Sequence, residues 1–241
     1  MIEVTNLTKK YNGLTVLQDI SFHVDEGEIL AYLGPNGAGK TTTVNILATL
    51  LTPTSGKATI AEYDVIKDGI KIRRLIGYVS EDFGLYPTLT TYENLYFAGG
   101  LYRISKKDRK EKIEELFEFF DLWEKKNVTV STLSKGTKQK VNLARAMMHN
   151  PEILFLDEPT ITLDPIMAKE VLNMILRLKK EGKTILMTTH LLTRAEKVCD
   201  SVALINEGKI LCTGKISKIK TKLKSPTLED VYLAVIGENH G

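Results

Sequence analysis

The chain has 241 residues, 43% hydrophobic and 26% charged, enough for a sizeable core in one large globular domain or two small ones. A net charge of only +3 excludes nucleic-acid recruitment by charge. No stretch approaches about 18 predominantly apolar residues, and no apolar signal core follows Met1, so the sequence offers neither a membrane span nor an export leader. Cys199 and Cys212 lie far apart without metal spacing, and are expected as buried, inert thiols in a reducing cytosol.

Read in chain order, strand-like runs open at 2–7 and 19–24, and the apolar-rich EILAYL (28–33) predicts a buried strand. GPNGAGKTT follows, then a helix expected through Leu51, and TPTSG (52–56) punctuates a turn. ATIAEYDV and RLIGYVS predict further strands. From about Asp82 to Asn150 the pattern becomes helical: ENLYFAGGLYR, then a helix started by Ser105 with Asp108 three later, then LSKGTKQKVNLARAMMHN. In the second of these Ile113, Leu116, Phe117 and Phe120 form an apolar stripe.

Strand–helix alternation then resumes. ILFLD (153–157) is a continuous apolar run, and DPIMAKEVLNMILRLKKEG is a helix with Lys179 and Lys180 in its last turn and Gly182 at its stop. KTILMTTH predicts another buried strand, VALINEGKILCTG a hairpin turning at Glu207–Gly208, and TLEDVYLAVI a small terminal helix. There is no internal repeat or low-complexity linker. The order implies an α/β fold in which a helical insertion of roughly 65 residues interrupts the sheet core.

Gly34–Thr41 fits G-x-x-x-x-G-K-[ST] between a predicted strand and a predicted helix. Glycines let backbone N–H groups curl around phosphate oxygens, and the helix N-terminus behind them adds partial positive charge. Lys40 reaches the outer phosphates, and the Thr41 hydroxyl is suited to Mg²⁺. Asp157, ending a buried strand, is placed for the Mg²⁺ shell, and Glu158 beside it could orient or deprotonate a water. No N-K-x-D stretch for guanine reading is present.

With GPNGAGKTT, LSKGTKQ, ILFLDEP, LDP and TTH in order, the sequence from Tyr11 to about Gly214 resembles the nucleotide-binding subunit of ABC transporters. The resemblance implies a P-loop NTPase (RecA-like) core with a mostly parallel sheet, an N-terminal antiparallel β segment and a helical insertion subdomain. It divides a single ABC ATPase domain into core (1–81 and 151–214), helical signature subdomain (82–150) and short C-terminal extension (215–241). It implies ATP and Mg²⁺ as cofactors. Tyr11 would stack on adenine with Val16 as its apolar companion. Gly34, Asn36, Gly37, Ala38, Gly39, Lys40, Thr41 and Thr42 would hold the phosphates. Thr41, Glu81 and Asp157 would ligate the metal, and Glu158, His190 and Lys40 would serve catalysis.

In the family two subunits pack head to tail, so Ser134 and Gly136 of the signature would meet the ATP of a second copy, with Asp164 also near the interface. A separate integral-membrane permease is the further partner, placing the chain at the cytoplasmic face of the cell membrane, with no nucleic acid involved. The ending PTLEDVYLAV and the ED-GLYPTLT-ENL stretch after Glu81 are similar to ABC-2 type subunits, which serve export.

Three stretches depart from the family pattern. Lys135 replaces the first signature glycine and Thr137 the glutamine; Lys135 either adds attraction for phosphate or faces solvent. Glu81 stands where the family usually has Gln. Ile161 and Thr162 stand where Ser-Gly is common. The Lys-rich run 215–224 reads as a solvated face or a patch beside an anionic membrane. A DNA-repair ABC ATPase would need long coiled-coil heptads and a translation ATPase two cassettes; neither is present. A catalytically dead binding module is excluded by Lys40, Asp157, Glu158 and His190 standing together.

Overall fold

The computed structural model of the chain describes residues 1–238. A four-stranded antiparallel sheet has the order β2-β1-β4-β5, from β1 (Ile2–Tyr11), β2 (Leu14–Val24), β4 (Ser55–Ile60) and β5 (Tyr63–Asp64). A six-stranded sheet has the order β10-β9-β3-β8-β7-β6. Its strands are β3 (Ile29–Leu33), β6 (Ile76–Val79), β7 (Ile153–Asp157), β8 (Thr184–Thr189), β9 (Ser201–Asn206) and β10 (Lys209–Lys215). All its pairings are parallel except β9–β10. β3, β7 and β8 are buried along their whole length, as strands covered on both faces must be, which explains their unbroken apolar runs.

The helices are α1 (Lys40–Leu47), α2 (Gly69–Leu75), α3 (Thr91–Leu101), α4 (Lys106–Phe120), α5 (Lys135–Ala146), α6 (Pro165–Lys180), α7 (Leu192–Val198), α8 (Ile216–Lys222) and α9 (Leu228–Glu238). The apolar stripe of α4 packs with Leu95 of α3, Val141 of α5 and Val171 of α6 in one core cluster. A second cluster joins the antiparallel sheet to α1 and the P-loop side of the large sheet. A third seats α9, through Leu228, Val231 and Val235, on Ala31, Leu33 and α7.

Several expectations are corrected. The helix after the P-loop ends at Leu47 rather than Leu51, with Thr49 at φ 61°. ATIAEYDV is two strands, because Ala61 and Glu62 turn the chain at φ 47° and 70°. Arg74 and Leu75 belong to α2, so the RLIGYVS strand begins only at Ile76. Cys199 and Cys212 are half-buried rather than buried, although burial still pushes both thiols up and favours the unreactive protonated form. α7 and α8 lack a sequence expectation altogether.

Local chemistry explains the helix starts. Thr90 forms a full capping box with Glu93 at the head of α3, and the Ser105 hydroxyl caps α4 by accepting from Asp108 N. Buried Asn94 accepts from Tyr86 N (2.8 Å) and donates to the carbonyls of Tyr86, Leu89 and Thr90, which fixes the loop between β6 and α3.

Candidate active site

The P-loop, Ser80–Glu81, Glu158 and His190 all follow the C-terminal ends of β3, β6, β7 and β8, which are neighbours in the sheet. Ligands of open α/β sheets bind at this edge. Gly39 takes φ 103° where the loop enters α1, a conformation natural only to glycine. At Gly34 a Cβ would lie 2.1 Å from Ile205 O, so this glycine answers first to the passing β9 backbone. The hairpin turn at Glu207–Gly208, with φ 46° and 74°, braces the loop through Gly208 N donating to Ala38 O.

Val16, Asn36, Gly37, Gly39, Lys40, Thr41, Thr42, Glu81, Glu158 and Ile161 line one cavity of about 420 Å³. Lys40 is 6% exposed and donates to Gly34 O and Pro35 O at 2.9 and 3.2 Å. Its Nζ also lies 3.3 Å from Glu158 Oε1, and His190 Nδ1 lies 3.0 Å from the same oxygen. Glu158 is 8% exposed at φ 48°, an uncommon conformation for a non-glycine residue, and its N–H donates to Thr188 O and Oγ1. Thr188 Oγ1 also donates to Asp157 Oδ1. Thr188 thus holds the Asp157 carboxylate and the Glu158 backbone; the sequence signal was a threonine pair at the end of the strand.

Glu158 Oε2 is buried without a hydrogen-bond partner, an acceptor suited to an incoming water. Among the described residues no group of three His, Cys, Asp or Glu is placed to hold a metal. Thr41 and Glu81 bring to the cavity the oxygen donors that a hard cation such as Mg²⁺ takes, while Asp157 lies outside its lining, 2% exposed and bonded to Thr188.

Tyr11, Gly34, Ala38, Ser134, Gly136, Asp157, Asp164 and His190 are not among the cavity residues. Tyr11 ends β1, 42% exposed, and the Lys9 ammonium sits 4.8 Å from its ring centre, on the aromatic expected for adenine. Asp164 caps α6 by accepting from Ile166 N and Met167 N. Ser134 is exposed and caps α5 through Thr137 N, while Thr137 Oγ1 lies 2.9 Å from Ser134 Oγ. A Cβ on Gly136 would approach Met167 Cε to 2.5 Å, so a side chain there would displace Met167 of α6. Lys135 is exposed at the head of α5, whose first turn holds no acid. Asn142 and Arg145 further along α5 reach Ser80 O and Tyr78 O beside the Glu81 loop.

The family model described as ABC transporter matches residues 17–161 of the chain. The chain belongs to the ABC transporter ATP-binding family. The linearmycin resistance ATP-binding protein LnrL of Bacillus subtilis is 34% identical over 239 residues, 99% of this chain and 76% of that protein. A solved ATP-binding subunit of an ABC transporter superposes with a TM-score of 0.88 at 32% identity, over 98% of this chain and 99% of its own. A dimeric ATP-binding cassette in a post-hydrolysis state, bound to ADP and Pi, gives a TM-score of 0.81 at 29% identity, over 90% and 99%. The ABC fold and the P-loop site therefore belong to an ATPase subunit that serves transport. Among the described residues no helix is long and apolar enough to cross a membrane.

Proposed function

We propose that this ABC subunit works as a head-to-tail homodimer holding two ATP, hydrolyses them with Glu158 as general base, and powers export through a separate permease. The observation that carries the chemistry is the convergence of Lys40 and His190 on Glu158 Oε1, at 3.3 and 3.0 Å, where Glu158 and Lys40 line the P-loop cavity. Lys40, the P-loop N–H groups and the N-terminus of α1 bind the phosphates, and that N-terminus carries no acidic residue in its first turn. Bound Mg²⁺, held by Thr41, Glu81 and Asp157, would supply charge neutralisation of the phosphates.

When the γ-phosphate draws Lys40 away, Glu158 is released to accept the proton of the attacking water, and His190 orients its carboxylate. Ser134 and the acid-free N-terminus of α5 form a second anion site that the chain's own cavity does not use. That site fits the ATP of a second copy, a reading supported by the dimeric state of the cassette the chain resembles. We assign residues 82–150 to a helical signature subdomain of one ATPase domain, and the chain to the cytoplasmic membrane face.

The export reading draws on LnrL, named for antibiotic resistance. A permease would find a groove of about 1050 Å³ lined by Ile70, Leu101 and Tyr102, with Leu101 68% exposed. His149 stacks on Tyr102 at its wall, and burial holds its pKa down at about 4, so the ring stays neutral there. Co-purification of a polytopic protein with the chain from native membranes tests this partner; recovery of the chain alone from intact complexes would oppose it.

Exposed Glu81 lines the same cavity as Glu158 and adds like charge beside the base and the phosphates. Glu81→Gln is expected to raise the Mg²⁺ concentration needed for half-maximal activity and to raise kcat several-fold. Unchanged Mg²⁺ dependence together with an unchanged rate would refute this role.

A further inference from the structure

We infer that Arg194 is a positioning residue for hydrolysis, tying the turn that carries Glu158 to the helix that follows His190. The inference rests on the assignment of Glu158 and His190 above. Arg194 lies in the first turn of α7, and its Nη1 donates to Thr160 O at 2.6 Å. The acceptor is a main-chain carbonyl of a residue only 3% exposed, so the bond fixes backbone position rather than satisfying a surface charge.

The turn held this way needs external support. Glu158 begins it in the left-handed region at φ 48°, and its internal bonds, Ile161 N to Glu158 O and Leu163 N to Thr160 O, are both 3.3 Å long. Strained backbone persists only where surroundings over-determine it. Thr188 holds the entry of the turn through Glu158 N. Arg194 holds its middle.

The anchor is itself fixed. Ala195 of α7 is 0% exposed and packed with Leu33 and the C-terminal helix α9, and Val198, 7% exposed, packs in the cluster that holds Ile29 and Ile185. Glu196 accepts from Leu228 N at 3.0 Å and pairs with Lys220, which fastens α9 and α8 to α7. His190 lies four residues before Arg194 and touches the Glu158 side chain, while Arg194 grips the same turn through its backbone. Two attachments between the same segments set the register of carboxylate and imidazole, and misplacing a catalytic group by even about 1 Å costs rate steeply.

The test uses the full chain with Arg194→Ala, Arg194→Lys, His190→Ala, the Arg194→Ala/His190→Ala double variant and Glu158→Gln. Expected for Arg194→Ala is a fall in kcat on the order of tenfold with KM for ATP within about twofold, because alignment and not binding is lost. Arg194→Lys should restore much of the rate, and the Ala change should add little once His190 is gone. An unchanged kcat, kcat and KM moving together with a lowered Tm, a Lys variant no better than Ala, or multiplicative losses in the double variant would each overturn the inference. If Glu158→Gln turns over normally, the underlying assignment fails and takes the inference with it. If Glu158→Gln is inactive but Arg194→Ala is fully active, only the inference fails.

Discussion

Glu158→Gln is expected to lower ATP turnover on the order of 10²–10⁴-fold while leaving ATP bound. The amide preserves the shape and can still accept from Lys40 and His190 at the position now 3.3 and 3.0 Å from them. It cannot take a proton from water. The charge that pairs with Lys40 also disappears, so nucleotide affinity should hold or improve. ATP then persists between two chains, and the variant should accumulate as an ATP-bound dimer. Phosphate release and sedimentation with ATP and Mg²⁺ check both halves. Near-normal turnover would remove Glu158 from the role of base, and His190 would lose the partner that defines its own role.

Ser134→Arg is expected to leave ATP binding by the monomer intact and to abolish ATP-driven dimerisation and turnover. Ser134 lies outside the chain's own nucleotide cavity, so the substitution has no route to the cis site. The side chain caps α5 by accepting from Thr137 N, and losing a cap costs about 1 kcal/mol. Ser134→Asp separates the two effects: it keeps a capping oxygen but sets a negative charge against the partner's phosphates. A normal Tm with no dimer in Ser134→Asp would assign the loss to the interface. Dimerisation of both variants at wild-type ATP concentrations would return Ser134 to a plain helix cap.

The strands that place the chemistry were legible because each is buried on both faces and reads as an unbroken apolar run, with Asp157–Glu158 and His190 at the ends of two of them. The P-loop was legible for a different reason, since Gly39 at φ 103° and Lys40 at the helix start leave little choice of residue. What escaped was short and tertiary. α7 and α8 have seven residues each and no side-chain cap, so their helicity comes from packing against the core and from Glu196, not from local signals. The break in ATIAEYDV escaped because Ala61 and Glu62 take positive φ without a glycine or asparagine to announce it.

At the site, the sequence pointed to the residues but not to their engagements. Lys9 lies over Tyr11, and Lys40 and Glu158 hold each other. Gly136 is expected to meet the ATP of a second copy, yet Met167 of the same chain packs where its side chain would be. Arg194 was invisible because the helix that presents it was. Residue type alone predicts two buried cysteines, but Cys199 follows α7 and Cys212 lies in the edge strand β10, and both are only half covered.

In the head-to-tail dimer we propose, each active site is shared, with Lys40 from one chain and Ser134 from the other. Mixing Lys40→Ala chains with Ser134→Arg chains, each inactive alone, measures it most directly. A head-to-tail dimer gives every mixed pair one site with both defects and one site with none, so ATP turnover should rise well above the sum of the separate variants. Turnover that stays at that sum, while sedimentation shows mixed dimers forming, would mean that each chain builds its site by itself.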